Sequence, residues 1–221
     1  ANPSKLSSKV SGKKLIELTG EQEYTGGFKI KEIKDNKGNL LPFAINKTMM
    51  RIDLSESLRS GDSFSFNVDW SFNINDRMID DGRSGYEFFP EDNNYIYSIA
   101  QWFPRMAVYS DLEGWQNKQY LGDGEFALTF GNYNVKLTVP EDHLVAATGE
   151  LVNPNEVLSV NEFDRFKQAK RTFDKTVVIR TEEEAKLVER SKSSNKKTWL
   201  FNAVNVRDFA FASSRKFIWD A

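Results

Sequence analysis

The stretch from Phe64 to Ile74 constrains the fold more than any other part of this sequence. Phe64, Phe66, Val68, Trp70, Phe72 and Ile74 are apolar, and Ser65, Asn67, Asp69, Ser71 and Asn73 between them are polar. Strict period two over eleven residues marks a strand with one face buried and one in water, the habit of antiparallel sheets. Met50, Ile52 and Leu54 repeat the pattern, as do Val135, Leu137 and Val139. Trp199, Phe201 and Ala203 lead a final strand into Phe209-Ala210-Phe211-Ala212. Phe28, Ile30 and Ile33 open an earlier strand, and Asp35-Asn36-Lys37-Gly38-Asn39 reads as a hairpin turn into a return strand over Leu40 to Ile45. Pro42 makes that strand an edge or a bulge, because proline cannot donate to a ladder. Gly122-Asp123-Gly124 is a further turn. Pro140-Glu141-Asp142 turns the chain so that Leu144 to Ala147 returns beside Val135 to Val139, with His143 in the turn.

Helical signals come late. Ser159-Val160-Asn161-Glu162 fits a capping box and is followed by Phe163, Phe166 and Ala169 at helical spacing. Thr181-Glu182-Glu183-Glu184 is a second box, with its carboxylates in the first turn, where the helix dipole favours them. These patterns predict short helices near 159–171 and 181–190. Tyr95 to Tyr109 reads as an aromatic-rich strand region, Thr176 to Arg180 as a short strand and Ser191 to Lys197 as a loop. Asn75 to Asn94 is a polar loop long enough to suggest function. Residues 1–23 are a polar, poorly ordered start, and 24–221 form a single domain. The expected class is mainly β, antiparallel, with two short helices.

Composition removes several functions. The 221 residues contain one His and no Cys. A catalytic zinc site normally takes two or three His, and H-E-x-x-H needs a pair. Thiol nucleophiles, disulfides and iron–sulfur clusters are excluded outright. A Ser-His-Asp triad survives only with His143 as its base, and a hairpin-turn position offers it no convergent partners. The net charge of -2 predicts no nucleic-acid binding. The longest apolar run is too short to span a membrane. Glu182-Glu183-Glu184 lacks the spacing of a calcium loop and reads as a cap. Asp80-Asp81 and Glu91-Asp92 read as solvated loop residues, and Asn46-Lys47-Thr48 matches the short glycosylation acceptor. The richest segment is Gln101-Trp102-Phe103-Pro104-Arg105. Rings beside an amide and a guanidinium make either a polar-edged binding wall or core packing at a strand kink.

That segment also carries a family resemblance. Gln101 to Asp111, Gly114-Trp115 and Tyr120-Leu121-Gly122-Asp123-Gly124-Glu125-Phe126 resemble the N-terminal domain of zinc aminopeptidases. These are the M-one metallopeptidases typified by aminopeptidase N and leukotriene A-four hydrolase, here in their Bacteroidetes-type form. Val135 to Pro140, Val145 to Leu151, Asn153 to Leu158 and Asn205 to Ala212 fit the same domain, as does Leu58 to Trp70.

The resemblance implies a saddle-like β-sandwich domain, cut at both ends from a longer enzyme. It is noncatalytic and packs on a thermolysin-like catalytic domain that holds the zinc and the H-E-x-x-H motif. The implied partners are that domain and peptide substrates, with no catalytic residue, metal ligand or cofactor in this chain. Gln101 matches the family position that helps bind the substrate's amino terminus, with Trp102 and Phe103 beside it as candidate substrate-binding residues. Phe103 stands where some members carry a second acidic or amide residue. The bacterial subgroup points to the periplasm or another exported location. Loss of the preceding strands would leave a sheet edge open to self-association. The competing reading is an independent carbohydrate- or protein-binding β-sandwich module.

Overall fold

The computed structural model describes residues 26–80, 82–118 and 127–221. The polar start, Asp81 and the Gly122-Asp123-Gly124 turn lie outside these residues. The described chain is mainly β, built from antiparallel sheets, with short helices at the two places the capping boxes mark. No helix among the described residues is long and apolar enough to cross a membrane. The chain divides into two compact units, residues 1–73 with 103–128, and residues 74–102 with 129–221.

In the first unit, β1 (Lys29–Asp35) pairs antiparallel with β4 (Phe66–Ser71). Exposure alternates from Phe64 to Asn73 as the pattern requires. Paired backbone, however, covers only six residues of the expected eleven, because β1 offers no more partner. Phe28, Trp70 and Phe72 pack edge to face or tilted on one side, with Phe28 and Trp70 centroids 5.3 Å apart. The turn after β1 forms around Asp35, whose carboxylate accepts from Lys37 N (2.9 Å), Asn39 N (2.8 Å) and Asn39 Nδ2 (3.0 Å). Those bonds, led by the Asn39 side chain, hold the Asp35 carboxyl below its ordinary pKa. The expected return strand does not form beside β1 beyond a single bridge, Lys34 to Leu40. Pro42 interrupts it, and β2 (Phe43–Asn46) instead makes a hairpin with β3 (Met49–Ile52). Two-residue strands β7 (Tyr109–Ser110) and β8 (Gly114–Trp115) form a separate hairpin.

The second unit holds most of the core. The region read as a polar loop contains helix α1 (Arg77–Asp80) and strand β5 (Gly85–Phe89). That strand escapes the sequence pattern because it is half-buried on both faces rather than alternating. It pairs with β6 (Asn94–Ile99), and β6 pairs with β14 (Phe211–Ser214). A long strand, β9 (Gly131–Pro140), pairs with β13 (Lys196–Val206), with Trp199 opposite Leu137 and Phe201 opposite Val135. β10 (Leu144–Ala147) does not return along β9 as the turn suggested; it pairs with β14 in the four-stranded sheet. β11 (Glu150–Leu151) joins β13 on its other edge, and β12 (Val178–Arg180) pairs with β15 (Trp219–Asp220). Trp199, Phe209 and Ile179 are fully buried.

Helix α2 (Pro154–Val157) leads into α3 (Val160–Ala169), and α4 (Glu182–Glu189) follows β12. Both capping boxes close reciprocally, around Ser159 with Glu162 and around Thr181 with Glu184. Each capping glutamate also binds an arginine from the other box's neighbourhood. Arg180 Nε donates to Glu162 Oε1 at 2.5 Å, and Arg165 Nη2 donates to both Glu184 oxygens at 2.7 Å.

Between β10 and β11, Gly149 takes a φ of +92°. A Cβ there would collide with the Asn202 carbonyl on β13 and sit 2.8 Å from Ala203 Cβ. Gly149→Ala should therefore cost roughly 3 kcal/mol, from overpacking plus a left-handed alanine. Urea unfolding reads this directly, and a variant as stable as the parent would contradict the close approach.

Candidate functional site

The chain leaves β6 at Ile99 and turns at Gln101, which is exposed and adopts a φ of +52°. A non-glycine residue in the left-handed region costs about 1 kcal/mol and persists where its surroundings hold it. The hold comes from Trp102. Its indole Nε1–H donates to the Phe209 carbonyl at 2.9 Å, and its ring meets Phe211 edge-on with centroids 5.4 Å apart. Phe211 lies opposite Ile99 in the sheet, so the end of β6 and the ring after it share one support. Trp102 is thus an anchor, with its polar edge spent on backbone, and Gln101 presents its amide to solvent. That amide offers an acceptor oxygen and two donor hydrogens.

Phe103 falls in the first unit. It is half-buried, and the Arg105 guanidinium carbon stands 5.4 Å from its ring centroid. Gln101 and Trp102 therefore share a unit from which Phe103 is separate. Ala100, Ala146, Ala147 and Ala212 line a shallow depression of about 420 Å³ in the second unit, with Arg83 and Phe211 also in its wall.

His143 sits just past the Pro140 turn, but its strands do not form a hairpin and its side chain is buried, at 3% exposure. Nδ1 lies 2.9 Å from Ser213 Oγ, and Ser213 is itself 2% exposed. Asp142 does not orient the ring. Its Oδ2 accepts instead from Arg215 Nε (2.9 Å), Ser191 Oγ (3.0 Å) and Ser193 N (2.7 Å). Burial and, after it, the Arg215 charge lower the imidazole pKa to about 4. A closed, neutral Ser–His pair of that basicity is a core hydrogen bond rather than a nucleophile and base. Among the described residues no group of three or more His, Asp or Glu side chains could hold a metal ion.

A second polar cluster was hidden from sequence reasoning. Ser191 to Lys197 read as a loop, yet β13 begins at Lys196 and puts Lys197 on the face that carries Trp199, Phe201 and Ala203. The signal was available, because extending that alternation back by two residues lands on Lys197. The ammonium lies 5.1 Å from the Trp199 ring and donates to the Val157 carbonyl at 2.5 Å. It shares a cavity of about 350 Å³ with Arg180, Glu162 and Asp142. Burial, then the Arg180 charge, push its pKa below the ordinary lysine value. Burial pushes the Glu162 carboxyl up, but the Arg180 bond and charge outweigh it and hold the group ionised.

Set against family models, curated proteins and solved structures, the chain matches none of them.

His143 sets a stability slope. Between pH about 6.5 and about 4, the unfolded chain binds a proton there that the folded chain refuses. Its contribution is full above pH 6.5 and is lost as the pH falls through that window. The loss from pH 7 to pH 5 should be roughly 2 kcal/mol. His143→Gln should flatten the urea-derived stability over that interval, and an undiminished slope would place the titrating group elsewhere.

Proposed function

We propose that this chain is the noncatalytic N-terminal β domain of a zinc-dependent aminopeptidase, which helps bind the amino terminus of peptide substrates. The observation that carries the reading is Gln101. The residue at the family's amine-binding position is exposed and held in a left-handed conformation beside an anchored Trp102. An ammonium group only donates, so the Gln101 Oε1 acceptor suits it, for about 1 kcal/mol net. Trp102 positions that amide. In this reading the chain is a β domain exported with its parent. The parent's catalytic domain supplies the zinc, its ligands and the general base, and packs against this chain. The outer edge of β4, which has no partner strand among the described residues, is the candidate for self-association.

The 221-residue chain should bind no stoichiometric zinc and turn over no aminoacyl p-nitroanilide; tight zinc or turnover would sink the reading. In the longer parent, Gln101→Ala should raise KM for peptides about fivefold with kcat little changed. An unchanged KM would remove Gln101 from the site.

One observation favours an independent binding module instead. Tyr86 lies opposite Tyr97, and Phe88 opposite Tyr95, so four rings share one face of β5 and β6. Half-exposed ring ladders of this kind take the apolar faces of sugars or peptides. Saturable binding of a glycan or peptide by this chain alone, lost in Phe88→Ala, would select this reading.

A further inference from the structure

β9 is the outer strand of the sheet β11-β13-β9, and among the described residues no strand lies on its free side. The other edges of the second unit are short or covered. β10, β11, β12 and β15 run four, two, three and two residues. The free side of β5 is bridged at Tyr86, whose N–H donates to Asn75 O. β9 runs ten residues. Its register with β13 continues into the bond from Glu141 N to Asn195 O. In an antiparallel pair such bonded positions recur at every second residue. Val139, Leu137, Val135 and Tyr133 therefore spend their backbone groups on β13. Asn132, Asn134, Lys136 and Thr138 turn theirs outward, and all four residues are exposed. That edge is a row of accessible N–H and C=O groups, a template for one more strand.

We propose that β9 pairs antiparallel with β9 of a second copy of this chain, about a two-fold axis at Val135, joining two three-stranded sheets into one. The side chains select both the partner and the register. Outward positions bond only to outward positions, so a two-fold register centres on Asn134, Val135 or Lys136 if the overlap is to be long. Centring on Lys136 sets two ammonium groups face to face, which destabilises the pair. Centring on Asn134 leaves Thr138 opposite Phe130, outside the strand. Centring on Val135 uses all four outward residues, for about eight hydrogen bonds between the copies. Asn134 then meets Lys136 and Asn132 meets Thr138 on the exposed face. Tyr133 meets Leu137 and Val135 meets its copy on the apolar face. No like charges oppose each other. The contact does not rest on the peptide reading, and it is separate from the β4 edge.

The test uses the 221-residue chain, which contains no Cys, so one introduced thiol reports the axis. Val135→Cys would face its copy at a non-hydrogen-bonded pair, with Cα atoms about 4.5 Å apart, within disulfide reach. Val139→Cys would lie roughly 27 Å from its copy. Under mild oxidation Val135→Cys should form disulfide dimer at least about tenfold faster than Val139→Cys. The wild-type chain should dimerise with rising concentration in sedimentation velocity. Hydrogen exchange should slow in step at the amides of Asn132, Asn134, Lys136 and Thr138, and stay constant at Val135 and Leu137. Lys136→Pro removes an outward N–H and no bond to β13, so it should abolish the dimer with little change in Tm. The proposal fails if the wild-type chain stays monomeric to millimolar concentration, or if the two thiols cross-link at equal rates. It also fails if the chain associates while the four outward amides stay unprotected, which would move the contact to another edge. The wild-type measurements decide this even if a variant does not fold.

Discussion

The exchange of arginines between two capping boxes is the interaction on which the second unit depends. Glu162 caps its own helix and binds Arg180; Glu184 caps the next helix and binds Arg165. Each glutamate therefore does two things that usually fall to different residues, ending a helix and joining it to its neighbour. With the Arg180–Glu162 pair buried, removing either partner would leave a charge in low dielectric, at a cost of several kcal/mol. The pair also ties β12 to α3. Ile179, next to Arg180 on β12, is fully buried.

Much of this was legible in the residues. Alternation found β4, β9 and β13, and the two capping boxes located both longer helices to within a residue or two. These signals are local, each contained within the element it predicts. The pairing of strands is not local. Leu144 to Ala147 follows a tight turn after β9 and still joins a different sheet, because its partner Phe211–Ser214 is more than sixty residues away. Gly85–Phe89 was missed for a related reason. A strand half-buried on both faces has no period to detect.

The candidate sites show the same division. Gln101 could be singled out by residue type and by likeness to a family, but its left-handed backbone could not. That conformation depends on Trp102 reaching Phe209 and Phe211, residues far along the chain. His143 looked like a turn residue because its neighbours make a turn. Its burial comes from β14, which lays Ser213 beside it. Lys197 was readable in principle from the alternation, but its unmet hydrogen bonds required the cavity.

The strand order of the second unit has a kinetic meaning. β9, β10 and β12 all find their partners within the segment from Lys196 to Asp220, in β13, β14 and β15 respectively. Until that segment leaves the ribosome, only β5 and β6 in these sheets have a neighbour to pair with. Folding of the unit is consequently dominated by contacts distant in sequence, which slows it and leaves apolar strands such as β9 waiting in solution. Residues 196–220 thus act as a common zipper for three sheets.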